Sequence, residues 1–170
     1  MAIRFLTDSN QMVDVVVTCD DAVNASDEQR SLYLSSGDLS SLESVNDEAT
    51  RFTLRALSPA NREQAEVNAG AYTRSELGRL LWLQAPSDLE ERARWHHTLD
   101  NDERVAYSEY TAYINRVYIE MIRESLQAID GESASVDQLQ MIRPDHVRTE
   151  TIGELVLHVQ RISLLDHSGK

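Results

Sequence analysis

Only one cysteine, Cys19, and one lysine, Lys170, occur in the 170 residues, together with two phenylalanines, three prolines and six glycines. A lone cysteine excludes an internal disulfide framework and makes a cysteine-built metal site implausible, which fits a reduced intracellular setting or indifference to redox. The few glycines compose no phosphate-binding loop: Gly70 and Gly78 fall inside a helical pattern, and no Gly-Lys-Ser/Thr is present. No apolar run approaches the roughly eighteen residues of a membrane span. The opening Met1-Ala-Ile-Arg-Phe-Leu-Thr-Asp has neither the apolar stretch nor the small-residue cleavage site of a signal peptide. The expectation is a protein made and used in water.

What is abundant is acid. The formal charge is −13, from 29 Asp/Glu against 16 Lys/Arg. Residues 1–50 hold ten acids and only Arg4 and Arg30, a net −8, and the other 120 residues carry −5. Such a field repels nucleic acid and anionic lipid, so neither is an expected partner, whereas basic proteins are. Fifteen of the sixteen cations are arginine, a bias that a GC-rich genome, a salt-adapted host or arginine-rich subunit contacts would each produce.

Hydrophobic residues at 41% are enough to bury a core in a chain of this length. The first part reads as strand and loop. Ile3-Arg4-Phe5-Leu6 and Met12–Thr18 suit a hairpin, and Thr50–Leu57 alternates, with Phe52, Leu54 and Ala56 on one face. Residues 20–49, rich in Ser, Asp, Asn and Glu around Leu32-Tyr33-Leu34, read as a mobile loop with at most a short strand. From Ser58-Pro59 the period becomes helical. One helix is expected to about Gln84, with a break near Gly70 and a stripe of Ala65, Ala69, Tyr72, Leu77, Leu80 and Leu81. Ser87-Asp88-Leu89-Glu90 has capping-box form for a helix over 88–98, and Asp100 with Glu103 opens the longest one, over 101–129. At about 1.5 Å per residue that helix would span roughly 40 Å, stopping at Asp130-Gly131. A short helix from Ser135 and a last one over 145–164 follow, the latter burying Val147, Thr151, Ile152, Leu155, Val156, Val159 and Ile162. The expected fold is α+β: a small N-terminal antiparallel sheet in an acidic 1–57 region, then a mainly helical 58–170 region of four or five helices.

Candidate chemistry is sparse. His96 and His97 are adjacent, about 100° apart on a helix, so they do not share a ligand face, and His146, His158 and His167 read as solvated or edge residues. There is no Gly-x-Ser-x-Gly elbow and no His-Glu-x-x-His, and Asp20-Asp21 beside Cys19 favours thiol over thiolate. No catalytic residue, metal site or cofactor is expected. The aromatic pattern is more informative. Tyr110, Tyr113, Ile114, Val117 and Met121 share one face of the long helix, and tyrosine's apolar body and polar tip suit a contact surface as well as a core.

The order of these pieces resembles small structural and tail-assembly, chaperone-like proteins of tailed bacteriophages. The likeness rests on the junction Arg51-Phe52-Thr53-Leu54-Arg55-Ala56-Leu57-Ser58-Pro59, on the close of the long helix at Ser125–Gly131, and on Ile142-Arg143-Pro144-Asp145-His146-Val147 followed by Ile152-Gly153-Glu154-Leu155 and Val159–Leu165. It spans residues 51–165, and the acidic front departs from it. It implies a non-enzymatic protein–protein role in particle assembly, with tail or neck subunits as partners, homo-oligomerisation left open, and a place in the host cytoplasm or the virion. The competing expectations are a small enzyme or ligand-binding protein with a pocket between sheet and helices, and an acidic inhibitor of a basic host protein.

Overall fold

The structure, a computed structural model, describes residues 12–70 and 76–165. The chain forms two compact units, residues 1–64 with 121–170, and residues 65–120. It is an α+β protein with an antiparallel sheet and a largely helical C-terminal part. Strand β1 is Met12–Val15; the hairpin partner expected at residues 3–6 lies outside the described residues.

Residues 20–49 depart furthest from expectation. In place of a loop they form β2 (Val23–Asn24), α1 (Asp27–Ser36), a 3-10 turn at Leu39–Ser41, and β3 (Ser44–Val45), which pairs with β2. Ser26 Oγ accepts the Gln29 amide at 3.3 Å and the Gln29 side chain accepts the Ser26 amide at 2.8 Å, a reciprocal cap that starts α1. Gly37, left-handed at φ 75°, ends it. Leu32-Tyr33-Leu34 is therefore a helical turn, and its buried member, Tyr33, packs with Val16, Val23, Leu42 and Ala49 in a small core of its own. Asp20 closes this excursion, accepting the amides of Ala22 at 2.9 Å and Thr50 at 3.0 Å.

Strand β4 (Phe52–Arg55) buries Phe52 and Leu54, as the alternation requires. Ser58 Oγ accepts the Asn61 amide at 3.2 Å and opens α2 (Pro59–Asn68). Gly70, just past the end of α2, is left-handed at φ 86°, and α3 is Glu76–Gln84, so the helical stretch is broken near Gly70, as the sequence allowed. Tyr72 lies outside the described residues. Helix α4 (Leu89–Thr98) is capped by Asp88, not Ser87, through the Glu91 amide at 2.8 Å. Helix α5 (Asn101–Ser125) carries the expected reciprocal cap between Asp100 and Glu103, at 2.9 Å each way.

Helix α5 stops at Ser125, four residues before the expected end. Leu126–Ile129 is strand β5, paired with β4, and Glu132–Ser133 is β6, giving the order β1-β4-β5-β6. Two tertiary bonds end the helix: Ser125 Oγ donates to the Arg55 carbonyl at 2.6 Å, and the Arg55 guanidinium donates to the Glu124 carbonyl at 3.1 Å. Asp130 and Gly131, at φ 51° and 79°, are then the paired positive-φ residues of a two-residue hairpin, where a helix stop was expected. The sheet in this way takes two strands from beyond residue 58. Short α6 (Val136–Leu139) and long α7 (Asp145–Leu165) complete the chain, so six helices follow residue 58 among the described residues where four or five were expected. Helix α7 packs on α1 and β4 and buries Thr151, Leu155, Val156, Val159 and Ile162.

Candidate functional site

The expected contact face on α5 divides. Val117 and Met121 are 7% and 8% exposed, so they are covered within the chain, while Tyr110, Tyr113 and Ile114 are half-buried. Within the second unit the rings form a chain: Trp82 of α3 lies 6.0 Å from Tyr110, and Tyr110 lies 6.1 Å from Tyr113. The Arg116 guanidinium stands 6.0 Å over the Tyr113 ring while its Nε donates to the Ala69 carbonyl at 3.0 Å. Trp95 meets Tyr107 edge-on at 5.3 Å.

Helix α3 joins this surface in a way its sequence pattern conceals. Gly78 and Leu81 are buried, but Leu77, Leu80 and Leu83 are 37%, 43% and 60% exposed. Spaced by three, they form a row along one side of the helix. Leu77 and Leu80, expected in the core stripe, are thus surface residues. Glu76 and Arg79 pair beside them.

The first unit holds a polar row on α7 that local sequence patterns did not suggest. Thr151, Glu154, His158 and Arg161 follow one another by three, four and three residues. Glu154 accepts the Thr18 amide at 2.6 Å and the Thr18 hydroxyl at 2.7 Å, and Thr151 Oγ1 lies 3.4 Å from Cys19 Sγ. His158, expected at an edge or in solvent, is fully buried. Its ring lies 5.1 Å from that of Tyr33, whose hydroxyl accepts the Val16 amide at 3.0 Å and donates to the Val16 carbonyl at 3.2 Å. Arg161 reaches the Tyr33 and Leu34 carbonyls at 3.4 and 3.3 Å, supplying from α7 the cation that the C-terminal turn of α1 lacks. It also stands 2.8 Å from His158 Nδ1. A guanidinium only donates, so Nδ1 is the acceptor and the imidazole is neutral with its proton on Nε2. Burial and the Arg161 charge push the His158 pKa down to about 4, and the Val16 carbonyl opposes them only weakly. That carbonyl is taken by the Tyr33 hydroxyl, and Nε2 makes no well-formed hydrogen bond.

Between the sheet and the last two helices lies a cleft of about 390 Å³. Val17, Phe52, Ile129, Leu139, Ile142 and Val147 supply apolar wall, and Cys19, Asp20, Asp21, Thr50, Thr151 and Arg143 are among its polar groups. Burial pushes the Cys19 thiol up; the Thr151 bond opposes it, and the charges of Glu154 and Glu150 add to the rise. Cys19 is therefore a neutral thiol and a poor nucleophile. Burial also works against ionisation of Asp20, but the amides of Ala22 and Thr50 outweigh it and hold the carboxyl below its ordinary range.

Among the described residues no three His, Cys, Asp or Glu side chains are grouped to hold a metal, and no helix is long and apolar enough to cross a membrane. Comparison with protein-family models, curated proteins and solved structures gives no significant match.

Proposed function

We propose that this is a non-enzymatic protein–protein interaction protein whose second unit docks a basic amphipathic segment of a partner. The observation that carries the reading is the exposed row Leu77, Leu80 and Leu83 on α3, a helix whose other side is buried. Adjoining it through the Trp82–Tyr110 contact, the half-buried Tyr110, Tyr113 and Ile114 extend the surface with rings of the kind enriched at interfaces. The partner's charge follows from the chain's own −13, which speeds encounter with cations and disfavours a second copy of itself. Assembly of a tailed-phage particle, with tail or neck subunits as partners in the host cytoplasm or the virion, is the finer form of the proposal and rests on the element-order resemblance. Mass spectrometry of purified particles divides that form: stoichiometric copies fit a structural component, and absence fits an assembly chaperone.

Calorimetry with a synthetic Leu/Lys amphipathic helix, and with its Leu/Glu counterpart, tests the docking itself. Leu80→Glu/Leu83→Glu adds two negative charges to the surface. If a basic peptide merely adheres to an acidic protein, the variant binds it more tightly. Docking on the leucine row predicts the opposite, loss of Leu/Lys binding, and unchanged or stronger binding would refute it.

A further inference from the structure

We propose that the cleft between the sheet and α6–α7 is a binding site for a small organic monocation, an amine or guanidinium borne on an apolar or aromatic body. This goes beyond the docking surface and is independent of it, because the cleft is built entirely from the first unit.

The cleft's volume, about 390 Å³, falls within the range of roughly 300–1,000 Å³ typical of small-molecule sites, and its composition is of the same kind: mostly apolar wall with a few polar groups. The wall is held by regular structure. Phe52 and Ile129 are directly paired across β4 and β5, while Leu139, Ile142 and Val147 come from α6, the turn after it, and α7. Such a site is formed before a ligand arrives, which lowers the cost of ordering it on binding.

The charge of the ligand follows from the ionisable groups around the cleft. Asp20 and Asp21 line it, and the charges of Glu150 and Glu154 reach Cys19 at its polar end. Asp20 is fixed by the amides of Ala22 and Thr50, and Glu154 by Thr18. The lining cation is Arg143, and it is already engaged: its Nη1 donates to the Gln140 and Ile142 carbonyls at 3.0 Å each and lies 3.6 Å from Asp145 Oδ1. Two lining carboxylates against one lining guanidinium, with the negative charges of Glu150 and Glu154 added near Cys19, make the site attractive to a cation and repulsive to an anion. The apolar body of such a ligand would lie on Phe52, Ile129 and Ile142, with its charged end toward Asp20 and Asp21. No covalent step is involved.

The chain's single cysteine reports on the site, since Cys19 lines the cleft. The full-length protein is treated at about pH 8 with 2,2′-dithiodipyridine, and thiol release is followed with increasing phenethylamine or 3-phenylpropionate, molecules of similar shape and opposite charge. Phenethylamine is expected to slow the reaction saturably, and phenylpropionate to leave its rate unchanged. Asp21→Asn, an exposed change, should raise the phenethylamine concentration needed for half-protection about fivefold, the effect of one solvated charge pair at close range. Val147→Trp should fill the cleft and abolish protection in protein shown by circular dichroism to be folded; if that variant does not fold, Asp21→Asn decides the matter. Absence of saturable protection, equal protection by both probes, or an Asp21→Asn response equal to wild type would each overturn the proposal.

Discussion

Acidification should destabilise this protein in a window set by one buried imidazole. His158 is neutral in the native state, wholly buried against Tyr33 and accepting from Arg161, and its pKa there is about 4. In the unfolded chain it titrates near its ordinary value of 6.5. Between these values the unfolded state binds the extra proton, so stability falls as the pH falls. Above about 7 the contribution is fully present, and below about 4 it is spent. A difference of some 2.5 pH units corresponds to about 3 kcal/mol, or a fall in Tm of roughly 6–12 °C for a chain of this size. Asp20, whose pKa is lowered from 3.8, contributes in the same direction but loses its share at lower pH, so the two windows separate.

The test compares urea midpoints of wild type and His158→Gln between pH 7.5 and 4.5. Glutamine can still accept from Arg161 through its side-chain oxygen but does not titrate, so whatever it costs at neutral pH, its profile in this window should be flatter by most of the 3 kcal/mol estimated above. Parallel profiles for the two proteins would refute the assignment, as would a wild type that gains stability between pH 6.5 and 4.5.

Three further outcomes follow from individual contacts. Gly37→Ala places a Cβ at a φ of 75° and into the Arg161 guanidinium, so it should cost about 1–2 kcal/mol for the backbone alone and more if Arg161 is displaced, read as a lowered urea midpoint. Ser125→Ala removes the buried donor to the Arg55 carbonyl that helps to end α5, and should cost about 1–3 kcal/mol in the same assay without altering the far-ultraviolet spectrum. Asp20→Asn leaves one of the two amides from Ala22 and Thr50 facing an amide group instead of an oxygen; faster hydrogen exchange at those two positions is expected, and protection equal to wild type would argue against the staple.

The parts of the fold that were legible in the sequence are those fixed by neighbours within a few positions. Ser58 and Asp100 cap the helices they precede, and Phe52, Leu54 and Ala56 face inward at a period of two. Two local signals are present in the sequence but outweighed by their surroundings. Ser26-Asp27-Glu28-Gln29 followed by Gly37 marks both ends of α1, yet the acidic composition around it suggested a loop. Asp130-Gly131 is a strong two-residue hairpin signal, but Leu126 and Ile129 also continue the helical spacing of α5, and a four-residue strand is too short to break that pattern. What decides for the strand is Arg55, whose carbonyl and guanidinium hold Ser125 and Glu124 across some seventy residues of sequence.

The candidate sites were hidden for that same reason of sequence distance. Glu154 meets Thr18 across 136 positions, and Arg161 meets the end of α1 across 127 and 128. No local period contains these pairs. The spacing of Thr151, Glu154, His158 and Arg161 does contain half of the message, since four polar residues on one side of a helix that is otherwise apolar on its buried face require polar partners. Those partners come from the acidic front of the chain, which supplies Thr18, Cys19 and Tyr33 to α7 and Asp20 and Asp21 to the cleft beside it. The excess of negative charge there is consequently not all solvated surface. Asp20 is fixed by backbone amides, and burial, helped by the charges of Glu154 and Glu150, keeps the Cys19 thiol protonated, so the cleft is suited to attracting a cation rather than attacking a substrate. The leucine row on α3 belongs to the other unit. The cleft and the leucine row belong to different units of the chain, so substitutions at Asp21 and at Leu80 and Leu83 should act on different ligands.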